Sequence, residues 1–129
     1  MSIRQNSRLI AIVDDDESLQ SAVQDLIESH GLCTLCFDSA KQFMDSEARY
    51  KAACLIADIR MPGMSGFELQ AKLMAERCQI PIIFITAHGD PEMRTLAMGD
   101  GAVEFLTKPF SGAVLLEVVH AALERSGND

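Results

Sequence analysis

The chain has 129 residues, of which 48% are hydrophobic, and this is enough apolar material for the core of one domain. Its 19 acidic and 11 basic residues give a net charge of −8, which opposes binding to nucleic acid through the phosphates. Because no apolar stretch approaches the roughly 20 residues of a membrane span and the first eight residues lack a signal-peptide core, we expect a cytoplasmic protein without membrane contact.

Strand and helix patterns alternate along the chain. Short apolar runs predict buried strands at residues 9–13, 33–37, 54–58, 81–86 and 104–107. Apolar residues spaced three and four apart predict helices at about 17–30, 39–46, from 66 onward, 90–98 and 111–124. Five strands alternating with five helices predict a doubly wound α/β fold, in which helices cover both faces of a parallel sheet. We expect a single domain with its core at about 8–124, and a tail or the start of a linker at 125–129.

Capping signals mark two of the predicted helices. Gly31 is the expected C-cap of the first helix. Asp90 is the expected N-cap of the fourth helix, and Pro91 suits its first helical position. The apolar face of this fourth helix is thin, which makes it a candidate for a contact surface.

The four cysteines do not form an evident metal or disulfide pattern. Cys33 and Cys36 form a CxxC, but within a strand, positions three apart point to opposite faces of the sheet. A zinc site would need a second closely spaced pair. We therefore expect four reduced and mostly buried thiols.

Polar residues stand where the predicted strands end. In such sheets ligands bind outside the carboxyl ends of the strands. The residues at these ends are, in chain order, Asp14, Asp15, Asp16, Asp58, Thr86 and Lys108. Distant parts of the chain are thus predicted to form one site.

The acidic residues predict a particular chemistry. Neighbouring carboxylates repel one another, and oxygen ligands favour Mg²⁺, Ca²⁺ or Mn²⁺ over zinc. A carboxylate beside Mg²⁺, such as Asp58, can attack a phosphoryl group and form an acyl phosphate. Lys108 and Thr86 are candidates for stabilising the charge on that group. The sequence has no nucleotide-binding motif, so we expect the phosphoryl group to come from another protein or a small donor.

Four motifs in order carry a family resemblance over about residues 8–124. They are Asp14-Asp15-Asp16, the run from Asp58 through Arg60-Met61-Pro62-Gly63 to Gly66, Thr86-Ala87, and Lys108-Pro109-Phe110. The chain resembles the receiver domain of two-component response regulators, most closely those of the nitrogen-fixation regulator type. The resemblance implies a flavodoxin-like sheet with strand order 2-1-3-4-5.

The resemblance also implies roles for the site residues. Asp58 would accept a phosphoryl group from a histidine kinase, and Lys108 and Thr86 would contact that group. Mg²⁺ would be held by Asp14, Asp15, Asp58 and the backbone carbonyl of Arg60. The resemblance further implies that Thr86 and the aromatic Phe105 reorient together, and that the Lys108-Pro109 peptide bond is cis.

The implied function is a switch rather than an enzyme, with at most self-catalysed phosphorylation and dephosphorylation. Phosphorylation would change the surface of the fourth helix and fifth strand and so control an output domain or partner. The output is expected to be transcriptional, and a phosphorylated homodimer through that surface is possible. The cognate kinase, the target and the oligomeric state are left open by the sequence.

Two other interpretations remain at this point. The run Val13-Asp14-Asp15-Asp16 is also compatible with an aspartyl-phosphate phosphatase whose nucleophile is Asp14, although that would leave Asp58 without a role. A receiver-like interaction module that is never phosphorylated is the third possibility. Independently of these, Asp16 is a candidate N-cap of the first helix.

Overall fold

One parallel sheet organises the chain. The computed structural model describes residues 8–87 and 89–126, and His88 therefore lies outside the described residues. The strands are β1 (Leu9–Val13), β2 (Cys33–Phe37), β3 (Cys54–Asp58), β4 (Ile82–Thr86) and β5 (Glu104–Thr107). All neighbouring strands pair in parallel in the order β2-β1-β3-β4-β5. The doubly wound fold and the strand order are confirmed.

The described residues form six helices, one more than predicted. They are α1 (Glu17–Glu28), α2 (Ala40–Met44), α3 (Ala48–Lys51), α4 (Gly66–Ala75), α5 (Pro91–Gly99) and α6 (Gly112–Ser126). The additional helix is α3. At its start the Ala48 N–H donates to the Ser46 hydroxyl at 2.9 Å. No helix within residues 8–87 and 89–126 combines the length and the apolar character needed to cross a membrane.

Two helix ends differ from their predicted positions. The C-cap of α1 is Ser29 rather than Gly31, and Gly31 adopts a positive φ of 83° two residues later. The α-helical pattern stops early because the N–H groups of His30 and Gly31 donate to the carbonyls of Ile27 and Glu28, three residues earlier rather than four. At the other end of the chain, α6 includes residues 125 and 126 of the predicted tail, while residues 127–129 lie outside the described part.

Each face of the sheet has its own hydrophobic core. One core contains alternate residues of the central strands, such as Leu55, Ala57 and Phe84, packed against α2 to α5. The other contains the intervening residues, such as Ile56 and Ile83, packed against α1 and α6. Strands β3 and β4 are covered on both faces and are buried at every position, which is why their sequences are nearly continuous apolar runs.

Some residues of the predicted apolar helix faces are exposed to solvent, so the buried faces are narrower than predicted. In α1 Ala22 is exposed, and in α6 Val114 is 41% exposed. The effect is greatest in α5, where Ala97 is the one fully buried side chain of the helix and Leu96 is 60% exposed. Helix α5 therefore presents apolar surface to the outside, as its thin face predicted.

The four thiols are free, as expected, but they are not mostly buried. Cys54 alone is buried, Cys36 and Cys78 are half-buried, and Cys33 is exposed. Cys33 and Cys36 lie on β2, an edge strand with neither face fully covered, which explains their exposure. Burial raises the pKa of the Cys54 thiol to about 12, so this group stays protonated at neutral pH.

Candidate functional site: carboxylates at the carboxyl edge of the sheet

Two aspartates end neighbouring central strands and are almost fully buried. Asp14 directly follows β1 and has no exposed surface, and Asp58 is the last residue of β3 with 7% of its surface exposed. One oxygen of each carboxylate is held by the following turn. The Asp16 N–H donates to Asp14 Oδ1 at 2.9 Å, and the Arg60 N–H donates to Asp58 Oδ1 at 3.2 Å. These bonds fix the orientation of both carboxylates.

The second oxygen of each carboxylate faces the same ammonium group. Lys108 Nζ lies 3.5 Å from Asp14 Oδ2 and 3.5 Å from Asp58 Oδ2. Both distances are long for a charge-assisted hydrogen bond, and Asp14 Oδ2 is buried without a hydrogen-bond partner. A single positive charge is thus shared between two negative ones, and the site retains a negative excess.

The electrostatic cost of this arrangement falls most clearly on Asp14. Burial raises the pKa of its carboxyl, and the negative charges of Asp58 and Asp15 raise it further. The hydrogen bond from the Asp16 N–H and the charge of Lys108 act in the opposite direction but do not reverse the shift. The native fold therefore holds a carboxylate in a place that disfavours its charge, which is typical of a site that binds a cation.

The donor set fits a hard divalent cation. Asp14, Asp15 and Asp58 each offer a carboxylate oxygen, and these oxygens lie within 4.8 Å of one another. Asp15 is exposed, whereas Asp16 is engaged as the N-cap of α1, where its Oδ1 accepts from the N–H groups of Ser18 and Leu19. Oxygen-only ligands suit a hard divalent cation such as Mg²⁺ or Ca²⁺, and Asp14 Oδ2 is buried without a hydrogen-bond partner. The structure thereby separates the capping aspartate from the three that could hold a metal.

A tight turn brings the start of α4 against Asp58. The Gly66 N–H donates to the Ile59 carbonyl at 2.8 Å. A Cβ on Gly66 would lie 2.5 Å from the Asp58 carbonyl oxygen and 2.9 Å from Ile59 Cα, so no other residue fits without moving the backbone. Gly66 is therefore a structural requirement of the site, while the metal-binding role of the Arg60 carbonyl stays a prediction.

Thr86 ends β4 one position beyond Ile85, the register partner of Asp58. Its side chain is fully buried. The Lys108 N–H donates to the Thr86 carbonyl at 2.8 Å, which ties the loop after β5 to the end of β4. The Lys108-Pro109 peptide bond in this loop is cis, as the resemblance implied.

Phe105 lies on β5 opposite Phe84 and is 5% exposed. Its ring is covered by the backbone of Gly89, where a Cβ would come within 2.7 Å of Phe105 Cε1 and of Thr107 Oγ1. The buried ring thus depends on the missing side chain at position 89. Sequence reasoning missed this contact, because a glycine after a strand is normally a turn signal.

Gln20 is a second residue that sequence reasoning missed. It is buried on α1, and its Nε2 donates to the Asp14 carbonyl at 2.5 Å, to Asp38 Oδ1 at 3.0 Å and to the Phe37 carbonyl at 3.2 Å. These bonds join α1 to the ends of β1 and β2 beside the acidic cluster. The available signal was its spacing of three and seven residues from Val23 and Ile27, which places a polar side chain on the buried stripe of the helix.

The fold and this site define a class of protein. Residues 10–120 match the model of the response regulator receiver domain family. The chain therefore belongs to the response regulator receiver domains, a family of signalling proteins.

Individual relatives agree with this assignment. The chain is 46% identical to the response regulator protein TodT of Pseudomonas putida over 116 residues, which are 90% of the chain and 51% of TodT. It is 38% identical to the transcriptional regulatory protein FixJ of Azorhizobium caulinodans, covering 91% of the chain and 56% of FixJ. The solved structure of FixJ-N superposes with a TM-score of 0.82 and 35% identity, covering 92% of the chain and 95% of FixJ-N. The likeness to the nitrogen-fixation regulator type is thus confirmed, and the chain spans about half the length of the curated relatives it matches.

The raised pKa of Asp14 predicts how stability depends on pH without added metal. Between the ordinary value of 3.8 and the raised value, the native state binds more protons than the unfolded state, so stability falls as pH rises through this range. Asp14→Asn removes this fall, and we expect it to raise the free energy of unfolding by about 1 kcal/mol at neutral pH, since it removes a negative charge that burial and the neighbouring Asp58 disfavour. Urea unfolding in the presence of EDTA at several pH values measures both effects.

The exposed Asp15 supplies the matched control for this measurement. Asp15→Asn should change the free energy of unfolding less than Asp14→Asn does. The advantage of Asp14→Asn should shrink as pH falls from the raised pKa toward 3.8, and it should be smallest below 3.8, where the wild-type carboxyl is protonated in both states. An Asp14→Asn variant that is less stable than wild type at every pH would contradict the interpretation.

Proposed function

We propose that Asp58 accepts a phosphoryl group from a histidine kinase. The observation that carries this proposal is the position of Asp58 Oδ2, which faces Lys108 Nζ. The Asp58 side chain is still 10% exposed. A nucleophile must meet its phosphoryl donor, and the fully buried Asp14 is less able to do so. Asp58 is therefore the better candidate.

The surrounding residues supply the other requirements of phosphoryl transfer. Asp14, Asp15 and Asp58 would hold Mg²⁺ with the Arg60 carbonyl, and the ion would supply positive charge for the oxygens of the transferred group. The Arg60 N–H keeps Asp58 Oδ1 fixed, so that Oδ2 is the oxygen free to attack. Lys108 Nζ then lies beside the new bond and can pair with the phosphoryl oxygens.

The consequence of phosphorylation is a change of surface. A phosphoryl group adds nearly two negative charges, which should draw the Lys108 ammonium and the Thr86 hydroxyl toward Asp58. Thr86 ends the strand that pairs with β5, so this movement reaches Phe105 and α5. The switch shifts the equilibrium between two arrangements of this surface, and the chain is no enzyme beyond its own phosphorylation and dephosphorylation.

The output is proposed to be transcriptional and to lie in another part of the protein or in a partner. FixJ of Azorhizobium caulinodans is named a transcriptional regulatory protein, and it extends well beyond the aligned region. A net charge of −8 disfavours direct contact of this domain with DNA. We therefore propose a cytoplasmic receiver domain, with its core at about residues 8–124, that acts through a separate output element.

Two alternatives receive less support. A phosphatase with Asp14 as nucleophile would leave the buried Asp58 and its contact with Lys108 unexplained. A receiver-like module that is never phosphorylated would have no reason to keep a raised carboxyl pKa at Asp14 beside a shared lysine. The electrostatic cost of the site is better explained by a cation and a phosphoryl group.

The acceptor can be identified by intact mass. We expect one added phosphoryl group on the wild-type chain after incubation with acetyl phosphate and Mg²⁺, and none on Asp58→Asn. Asp14→Asn is the matched control, because it should slow the labelling without moving the acceptor. Labelling that survives Asp58→Asn but is lost in Asp14→Asn would support the phosphatase instead, and a wild-type chain without label would support the unphosphorylated module.

Metal binding should appear as stabilisation. Mg²⁺ relieves the repulsion among the three carboxylates, and at ten times its dissociation constant it should raise the free energy of unfolding by about 1.4 kcal/mol. Thermal or urea unfolding with and without MgCl₂ measures this, with NaCl of equal ionic strength as the control. Equal stabilisation by the two salts would argue against a specific metal site.

A dimer of the phosphorylated form is proposed through α5 and β5. The reason is the exposed apolar surface of α5, where Leu96 is 60% exposed and lies beside Pro91 and Thr95. Size-exclusion chromatography with and without beryllofluoride, a phosphoryl analogue, should show a shift from monomer to dimer that Leu96→Ser reduces. A wild-type chain that remains monomeric in both conditions would count against the dimer.

A further inference from the structure

An ion pair holds the backbone of Phe105 at the open edge of the sheet. Strand β5 is an edge strand that pairs with β4 alone, so backbone groups on its other side need other partners. Arg94 Nη1 donates to the Phe105 carbonyl at 3.0 Å, and the Phe105 N–H donates to Glu104 Oε1 at 2.9 Å. Both backbone groups of one residue are therefore satisfied by side chains.

The same two side chains bind each other. Arg94 Nη1 lies 2.9 Å from Glu104 Oε1, which closes a ring of contacts around the Phe105 peptide groups. Because Arg94 belongs to α5 and Glu104 to β5, the ion pair also ties the helix to the edge strand. Ala97 is the one fully buried side chain of α5, so this polar connection adds to a small apolar contact.

The ring of Phe105 is confined from a different side. The Gly89 backbone covers it so closely that a Cβ there would lie 2.7 Å from Cε1. The backbone of Phe105 is thus fixed by the Arg94–Glu104 pair, and the ring is fixed by the loop that precedes α5. Neither contact involves the acidic cluster.

We propose that the Arg94–Glu104 ion pair is a positioning device that keeps α5 docked on β5, and with it the Gly89 backbone over the buried Phe105 ring, and thereby favours the arrangement that a phosphoryl group on Asp58 selects. This inference rests on the proposed function of Asp58 and adds the residues that set how easily the switch responds. Arg94 and Glu104 act through Phe105 and α5.

The direction of the effect follows from packing. When the phosphoryl group draws Thr86 toward Asp58, space opens next to the end of β4, and close packing requires a neighbouring group to fill it. Phe105, on the strand beside β4, fills that space when its ring is buried. An ion pair that helps to keep Phe105 buried therefore lowers the concentration of phosphoryl analogue at half-saturation. Without the pair, the competent fraction falls and the apparent dissociation constant rises by the same factor.

The test uses the full chain and beryllofluoride with Mg²⁺. Because the chain has no tryptophan, amide chemical shifts in NMR spectra report the response. We expect Arg94→Met and Glu104→Gln each to raise the beryllofluoride concentration at half-saturation by about threefold, as a partly exposed ion pair allows. Arg94→Lys, which keeps the charge, should restore part of the response, and the double variant should resemble either single variant.

A matched control comes from another exposed ion pair. Lys41→Met breaks the Lys41–Asp45 pair on α2, far along the chain from α5, and should leave the half-saturation point unchanged. Hydrogen exchange of the Phe105 amide without ligand gives a second readout. Exchange should be severalfold faster in Glu104→Gln, where the acceptor is neutral and weaker, and in Arg94→Met, where Arg94 no longer holds the acceptor in place. If the variants lower the melting temperature but keep the wild-type half-saturation point, the Arg94–Glu104 pair only stabilises the edge strand and has no part in switching, which would contradict the proposal.

The other outcomes are also decisive. Tighter beryllofluoride binding by Arg94→Met or Glu104→Gln would overturn the proposal, since the pair would then oppose the switched arrangement. If acetyl phosphate fails to label wild-type Asp58, the proposed function itself fails, and the inference fails with it. Normal labelling of Asp58 combined with an unchanged response in the variants rejects the inference alone.

Discussion

The interaction on which this structure depends is the sharing of one ammonium by two buried carboxylates. Lys108 Nζ lies 3.5 Å from an oxygen of Asp14 and 3.5 Å from an oxygen of Asp58, so neither pair is a close ion pair. Burying two negative charges against one positive charge leaves the site short of positive charge. A divalent cation held by the carboxylates would supply that positive charge.

The sheet is what allows so unfavourable a cluster to form. In a parallel sheet the carboxyl ends of β1, β3 and β5 meet at one edge, which brings together residues that are far apart in the sequence. The central strands β1, β3 and β4 are anchored by a core on both faces, and the ends of β1 and β2 are further joined by the Gln20 hydrogen bonds. Hydrophobic burial far from the edge thus offsets the repulsion at the edge.

Much of the fold and the grouping of the site residues could be predicted from the sequence. Apolar runs identified all five strands. The signal is clearest for β3 and β4, because strands covered on both faces need almost no polar residues. The polar residues at the strand ends indicated Asp14, Asp58 and Lys108, because the edge of a parallel sheet brings such ends together. The family resemblance supplied the strand order and the individual roles, which the residue patterns did not contain.

The remaining features depend on contacts that no local pattern encodes. The contact of Gly89 with Phe105 arises because a loop folds back over a distant strand, and the glycine looks like any turn residue in the sequence. In the sequence, Arg94 and Glu104 look like ordinary solvent-exposed charges on a helix and on a strand. They become partners because α5 packs against β5. The additional helix α3 was missed for a related reason, since a single turn of four residues has too few positions to show a period.

The path from the acidic cluster to the outer surface is short because Lys108 belongs to both. Its side chain faces Asp14 and Asp58, while its backbone N–H donates to the carbonyl of Thr86. Lys108 also directly follows β5, whose Phe105 lies three residues earlier and is held by α5 through Arg94. A change of charge on Asp58 therefore acts on a residue that is covalently part of the β5 segment and hydrogen-bonded to the end of β4. The loop after β5 carries the Lys108 ammonium itself, so no long chain of contacts is needed between Asp58 and this loop.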